Sequence, residues 1–98
     1  MENKIIVFSR PGCKYCDKTR SVLNTLQLPF NEIKLNPGDK NYENKRDQLF
    51  QYYHHSSYPI IVINNELVGG YSDLIRARDT LKLHDMCMKI GIKLPVDF

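Results

Sequence analysis

The chain reads as an α/β domain in which a four-stranded mixed β-sheet is flanked by helices on both faces. Three observations predict it. An apolar run, Ile5-Ile6-Val7-Phe8, is followed by a turn, an amphipathic stretch and a second short strand-like segment, which makes a βαβ unit with parallel strands. Further along, Pro59 to Ile63, Asn64-Asn65 and Glu66-Leu67-Val68 form a strand, a two-residue turn and a strand, the pattern of an antiparallel hairpin. Apolar residues at helical spacing fill the stretch before this hairpin and the stretch after it. With 98 residues, 42% of them hydrophobic, the chain suits one domain with a single core and is too short for two.

Taken in order, the first strand is expected over Lys4 to Ser9, and Arg10-Pro11-Gly12 is a turn. A helix then runs from Cys13 to about Leu26 with Thr19, Val22, Leu23 and Leu26 on its buried face. Pro29 prevents continuation, and Phe30 to Leu35 reads as a second strand with Ile33 and Leu35 alternating between polar neighbours. Asn36-Pro37-Gly38-Asp39 is a loop, after which Tyr42, Leu49, Phe50 and Tyr53 fit one stripe of a second helix. The hairpin follows and ends at Gly69-Gly70. Ser72 is the expected N-cap of a helix carrying Leu74, Ile75 and Leu81, and a last helical stretch through Met86 and Ile90 ends at Gly91. The tail from Lys93 to Phe98 has no predicted structure, and no repeat, linker or low-complexity segment occurs.

Composition narrows the function classes. Fourteen Lys and Arg against 11 Asp and Glu give a net charge of +3, an excess that favours acidic partners but is too small and scattered for a nucleic-acid footprint. Met1-Glu2-Asn3-Lys4 leads into only four consecutive apolar residues, too short for a signal-peptide core or a membrane span. A cytoplasmic protein without a membrane partner is the expectation. Three cysteines are no framework for a disulfide-stapled secreted domain. In a reducing compartment a Cys-X-X-Cys pair is more often catalytic or metal-binding.

That pair is Cys13-Lys14-Tyr15-Cys16, placed where a strand turns into a helix. A helix start has unpaired backbone N–H groups and a partial positive charge, so a cysteine there is stabilised as thiolate, the form that attacks disulfides. Cys13 is the candidate nucleophile. Cys16, about one turn further along on nearly the same face, is close enough to close a disulfide and serves as the resolving thiol. The competing reading is half of a structural zinc site, whose second pair would have to come from His54-His55 or from His84 with Cys87. Cys87 falls on an apolar stripe with Leu83 and Ile90, where a cysteine reads as a small buried hydrophobe. His54 and His55 sit in a polar loop, and thiol exchange needs no histidine base, so no role is assigned to them.

Arg10, three positions before Cys13, and Lys14, adjacent to it, both favour the thiolate, and Arg10 also suits an anionic substrate. Lys18 and Arg20 read as surface residues. Tyr15 stands exposed between the cysteines, where its ring can flank a bound thiol. Pro59 opens a strand, which confines it to an edge, a first position or a cis bond. Gly69-Gly70 before Ser72-Asp73 pairs a permissive backbone with a helix start, an arrangement able to receive a carboxylate on N–H groups while Asp73 accepts from an amine; it also reads simply as a turn.

Together, Arg10, Cys13-Lys14-Tyr15-Cys16, Ser57-Tyr58-Pro59 and Gly69-Gly70-Tyr71-Ser72-Asp73 make residues 3 to 90 resemble a dithiol glutaredoxin. The family pattern Cys-Pro-Tyr-Cys, Thr-Val-Pro and Gly-Gly with a polar helix start is matched in order and approximate spacing. The resemblance implies the thioredoxin fold, a cis Pro59 facing the thiols, and a Tyr58 backbone that pairs with the cysteinyl part of glutathione. It further implies that Arg10 and Arg46 hold the glycyl carboxylate, with Gly70, Ser72 and Asp73 at the γ-glutamyl end. Two departures stand out. Lys14 replaces the usual proline, adding a charge and a donor N–H beside the thiolate. Tyr58 and Ser57 replace valine and threonine, setting a large ring beside the glutathione groove.

The activity implied is glutathione-dependent thiol–disulfide exchange on glutathionyl mixed disulfides and protein disulfides, with glutathione as co-substrate. Glutathionylated or disulfide-containing proteins, ribonucleotide reductase among them, are the implied partners of a monomeric enzyme. The alternative from the same resemblance is a [2Fe–2S] carrier in which Cys13 from two subunits and two glutathiones ligate the cluster; otherwise no metal is expected. A third reading is a non-catalytic module that binds partners through Tyr58 and Tyr71. The abundance of Lys, Asn, Ile and Tyr hints at an AT-rich genome such as that of a large virus, in which case the host cytoplasm is the location.

Overall fold

A computed structural model describes residues 4–92, so the predicted unstructured tail lies outside the described residues. The elements run β1 (Ile5–Ser9), α1 (Lys14–Thr25), β2 (Asn31–Lys34), α2 (Tyr42–Tyr53), β3 (Ile60–Ile63), β4 (Glu66–Gly69), α3 (Tyr71–Asp79) and α4 (Lys82–Lys89). The strands form one sheet in the order β2-β1-β3-β4. β1 and β2 are parallel, as a βαβ unit requires, while β3 pairs antiparallel with both β1 and β4.

β3 explains the layering. It is central, and all four of its side chains are buried, so a continuous Ile-Ile-Val-Ile run replaces alternation. In the β1–β3 register Ile5 faces Ile63 and Val7 faces Ile61. These four pack with Leu23 of α1, Leu74 and Ala77 of α3, and Leu83, Met86 and Cys87 of α4 in the main core. The intervening residues point to the opposite face, where the Phe8 ring meets Tyr53 of α2 at 6.0 Å. Helices therefore cover both faces. Asn64 and Asn65, at φ 50° and 67°, make the tight turn between β3 and β4, the left-handed pair that lets two residues join twisted strands.

Three expectations need correction. The second strand is shorter than Phe30 to Leu35, and Ile33 is 45% exposed because β2 is an edge strand. α2 buries Tyr42 alone; Leu49, Phe50 and Tyr53 are half-buried. Arg20 is a cross-link rather than a surface residue. Its guanidinium donates to both carboxylate oxygens of Glu32 at 2.8 and 2.6 Å and to Asp17 at 2.9 Å, and the buried Ser9 hydroxyl donates to Glu32 at 2.6 Å. The Arg20 bonds hold the Glu32 carboxyl down at about 2. This network ties α1 to the ends of β1 and β2, on either side of the turn that carries Cys13.

Candidate active site

β1 ends at Ser9, and the turn through Gly12, at φ 74°, delivers Cys13 to the N-cap position of α1. Its Sγ accepts the backbone N–H of Cys16 at 3.2 Å, so the sulfur occupies the place where a helix offers unpaired donors. The helix proper begins at Lys14, one residue later than the sequence suggests, with the cysteine as its cap. Cys13 and Cys16 are joined as a disulfide, their Cα atoms 5.2 Å apart. Cys13 is half-exposed and Cys16 only 2% exposed, so an incoming thiol reaches Cys13 first. Cys87 lies in the core, where burial pushes its thiol up to about 11.

Two hollows flank the cysteines. One of about 460 Å³ is bordered by Arg10, Cys13, Tyr42, Arg46, Phe50 and Tyr58, with Lys14 at its margin. A second, of about 280 Å³, is bordered by His55, Pro59, Gly70, Tyr71, Ser72 and Asp73. Tyr15, Ser57 and Tyr58 belong to both, so the two form one groove past the disulfide. The Tyr58–Pro59 bond is cis and Pro59 is buried at the start of β3.

The Tyr58 ring turns toward α2. It packs edge-on against Phe50 at 5.4 Å, its hydroxyl lies 3.4 Å from that of Tyr42, and the Arg10 guanidinium sits 5.9 Å above it. Burial, helped by the Tyr42 hydroxyl, pushes the Tyr58 phenol well above the usual tyrosine range. Arg46 lies over the Tyr42 ring at 5.5 Å and bonds Asp47 at 3.0 Å. Both arginines thus border the first hollow from opposite elements, an electropositive lining for an anion.

At the far end the helix start differs from expectation. Gly70 caps α3, and Ser72 is exposed inside its first turn. The Asp73 carboxylate accepts the Gly70 N–H at 2.9 Å, the back-bond of a capping box, so the helix is capped two residues before Ser72. The demanding glycine is Gly69 rather than Gly70. Its φ is 122°, and a Cβ there would run into the Asp73 carboxylate, whereas one on Gly70 would meet nothing closer than 3.5 Å.

All ten glutathione- and cysteine-directed residues from the sequence, together with Lys14, border this groove or the disulfide. Three neighbours escaped sequence reasoning. Lys18, read as surface, holds its ammonium 5.3 Å from the Tyr15 ring and 5.9 Å from that of Tyr71; its i+3 spacing from Tyr15 was the available signal. Tyr42 was read only as an apolar stripe member. His55, which carried no signal, is folded against Gly70.

A family model for glutaredoxin matches residues 5–68 of the chain. The chain belongs to the glutaredoxin family. It is 35% identical to mouse glutaredoxin-1 over 92 residues, covering 90% of this chain and 84% of that protein. Among solved structures, a dithiolic glutaredoxin from Trypanosoma brucei brucei is 30% identical with a TM-score of 0.75, covering 86% of each chain. A buckwheat glutaredoxin in complex with glutathione superposes with a TM-score of 0.83 at 22% identity, over 93% of this chain and 82% of that one. The fold is the thioredoxin fold of glutaredoxins, and the chain is a glutathione-dependent thiol–disulfide oxidoreductase whose redox pair is Cys13 and Cys16. As a glutaredoxin it retains the motif cysteines and the cis proline, and departs at Lys14 and Tyr58.

Proposed function

We propose that Cys13 is the nucleophile toward glutathionyl mixed disulfides and protein disulfides, and that glutathione lies along the groove past Tyr58. The observation that carries this reading is the asymmetry of the pair: a half-exposed sulfur at a helix cap beside one that is 2% exposed. In the reduced enzyme the Cys13 thiolate attacks the glutathionyl sulfur. A Cys13–glutathione disulfide forms, and the substrate sulfur leaves as a thiolate that takes up a proton from water. A second glutathione thiolate then attacks the glutathionyl sulfur, releasing oxidised glutathione and the Cys13 thiolate. With a protein disulfide, Cys13 forms the mixed bond and Cys16 breaks it, leaving the Cys13–Cys16 disulfide for two glutathiones to reduce.

In this reading Arg10 and Arg46 attract the glycyl carboxylate, the Tyr58 main chain pairs with the cysteinyl unit above Pro59, and Gly70, Ser72 and Asp73 meet the γ-glutamyl end. Lys14, charged and with a free N–H, adds to the helix start in favouring thiolate, and Tyr15 shields one side of the bound sulfur. Substrates are glutathionylated or disulfide-bonded proteins, with ribonucleotide reductase a candidate by family analogy, turned over by a monomer in a reducing cytoplasm.

The test is glutathione-coupled reduction of a small glutathionyl mixed disulfide and of a protein disulfide by the wild type, Cys13→Ser and Cys16→Ser. Cys13→Ser should lose both activities, and Cys16→Ser should keep the first while losing most of the second. Equal loss in the two variants would contradict the division of roles.

A further inference from the structure

We infer that His55 is a specificity-determining residue of the groove, binding the α-carboxylate of the γ-glutamyl end of glutathione. The inference rests on the reading that glutathione occupies this groove, and assigns a residue to which the sequence gives no role. Three observations support it. His55 is half-buried and lies against the start of α3, its Nε2 3.5 Å from where a Gly70 Cβ would stand and 3.5 Å from the Ser57 hydroxyl. The hollow it borders has one other charged residue in its lining, Asp73, alongside Tyr15, Tyr58, Tyr71, Ser57 and Ser72. Asp73 is directed at the Gly70 N–H, with Arg76 3.8 Å away on its far oxygen.

A γ-glutamyl end is a zwitterion, an ammonium and a carboxylate on one carbon. Asp73 suits the ammonium and repels the carboxylate. The carboxylate then needs a donor, and the imidazole of His55 shares the hollow with the start of α3. A ring N–H of the imidazole is the donor this position offers to an anion.

The experiment compares wild type, His55→Ala and His55→Arg on two small mixed disulfides, one glutathionyl and one cysteinylglycyl, the latter lacking the γ-glutamyl unit. Turnover is measured at neutral pH. His55→Ala should raise KM for the glutathionyl substrate by about three- to tenfold, the scale of one lost hydrogen bond, with kcat within about twofold. Its KM for the cysteinylglycyl substrate should match wild type. His55→Arg should restore the low KM. An unchanged KM in His55→Ala, or an equal rise for both substrates, overturns the assignment. Absence of Cys13-dependent turnover in the wild type would instead overturn the groove reading itself.

Discussion

Replacing Glu32 by glutamine tests the network that holds the active-site turn in place. The side chain keeps its size and one acceptor oxygen but loses the charge that pairs with Arg20. A carboxyl held at about 2 instead of 4.5 corresponds to about 3 kcal/mol of preference for the ionised form in the folded chain. Glu32 is 18% exposed but Arg20 is 34% exposed, so solvent screening reduces the net contribution to about 2 kcal/mol. Because the folded value lies below the unfolded one, this stability is fully present above about pH 4.5 and is lost as pH falls toward about 2. The assay is urea unfolding followed by far-ultraviolet circular dichroism, under reducing conditions to hold the cysteine state constant. Wild type should exceed Glu32→Gln by about 2 kcal/mol at neutral pH, and the difference should shrink steadily below about pH 4.5. A difference that stays constant down to about pH 2.5, or one below about 0.5 kcal/mol at neutrality, would refute the claim that an ion pair anchors α1 to the sheet.

The other predictions concern the groove and the odd cysteine. Gly69→Ala places a methyl in the space of the Asp73 carboxylate at a φ of 122°, and should lower Tm by about 10 °C or more. Gly70→Ala, with nothing closer than 3.5 Å, should lower it far less, and equal shifts would contradict this division. In reduced protein at about pH 8, iodoacetamide followed by mass spectrometry should modify Cys13 rapidly and Cys87 only after unfolding, since burial pushes the Cys87 thiol up to about 11; labelling of folded Cys87 would show that its pocket opens. Arg10→Ala should raise KM for glutathione by about three- to tenfold with little change in kcat, and an unchanged KM would remove Arg10 from the binding site.

Much of the fold was legible because its signals are local. The Ile5–Phe8 run, the helix with Thr19 and Leu23 inward and the Asn64-Asn65 hairpin each follow from periodicity or turn chemistry, and all occur as expected. The errors lie where packing outweighs local pattern. Ile33 looks like a core strand residue, but at the sheet edge nothing obliges a neighbour to cover it. Ser72 is the better cap by type, yet Asp73 reaches the Gly70 N–H because the chain leaves β4 through a left-handed Gly69 and starts the helix two residues early.

The sequence by itself determined the chemistry and the family: two thiols three positions apart at a strand-to-helix junction, with the proline and double-glycine motifs downstream, require only neighbours in the chain. Tertiary structure decided which side chains meet across the groove. Tyr58 reaches Tyr42 and Phe50 on α2, His55 rests on Gly70 at the start of α3, and Arg20 on α1 pairs with Glu32 on β2. Each of these depends on strand order and on the face from which a helix packs. Neither quantity has a signature in local periodicity, because the free energy that selects them comes from burying whole surfaces together.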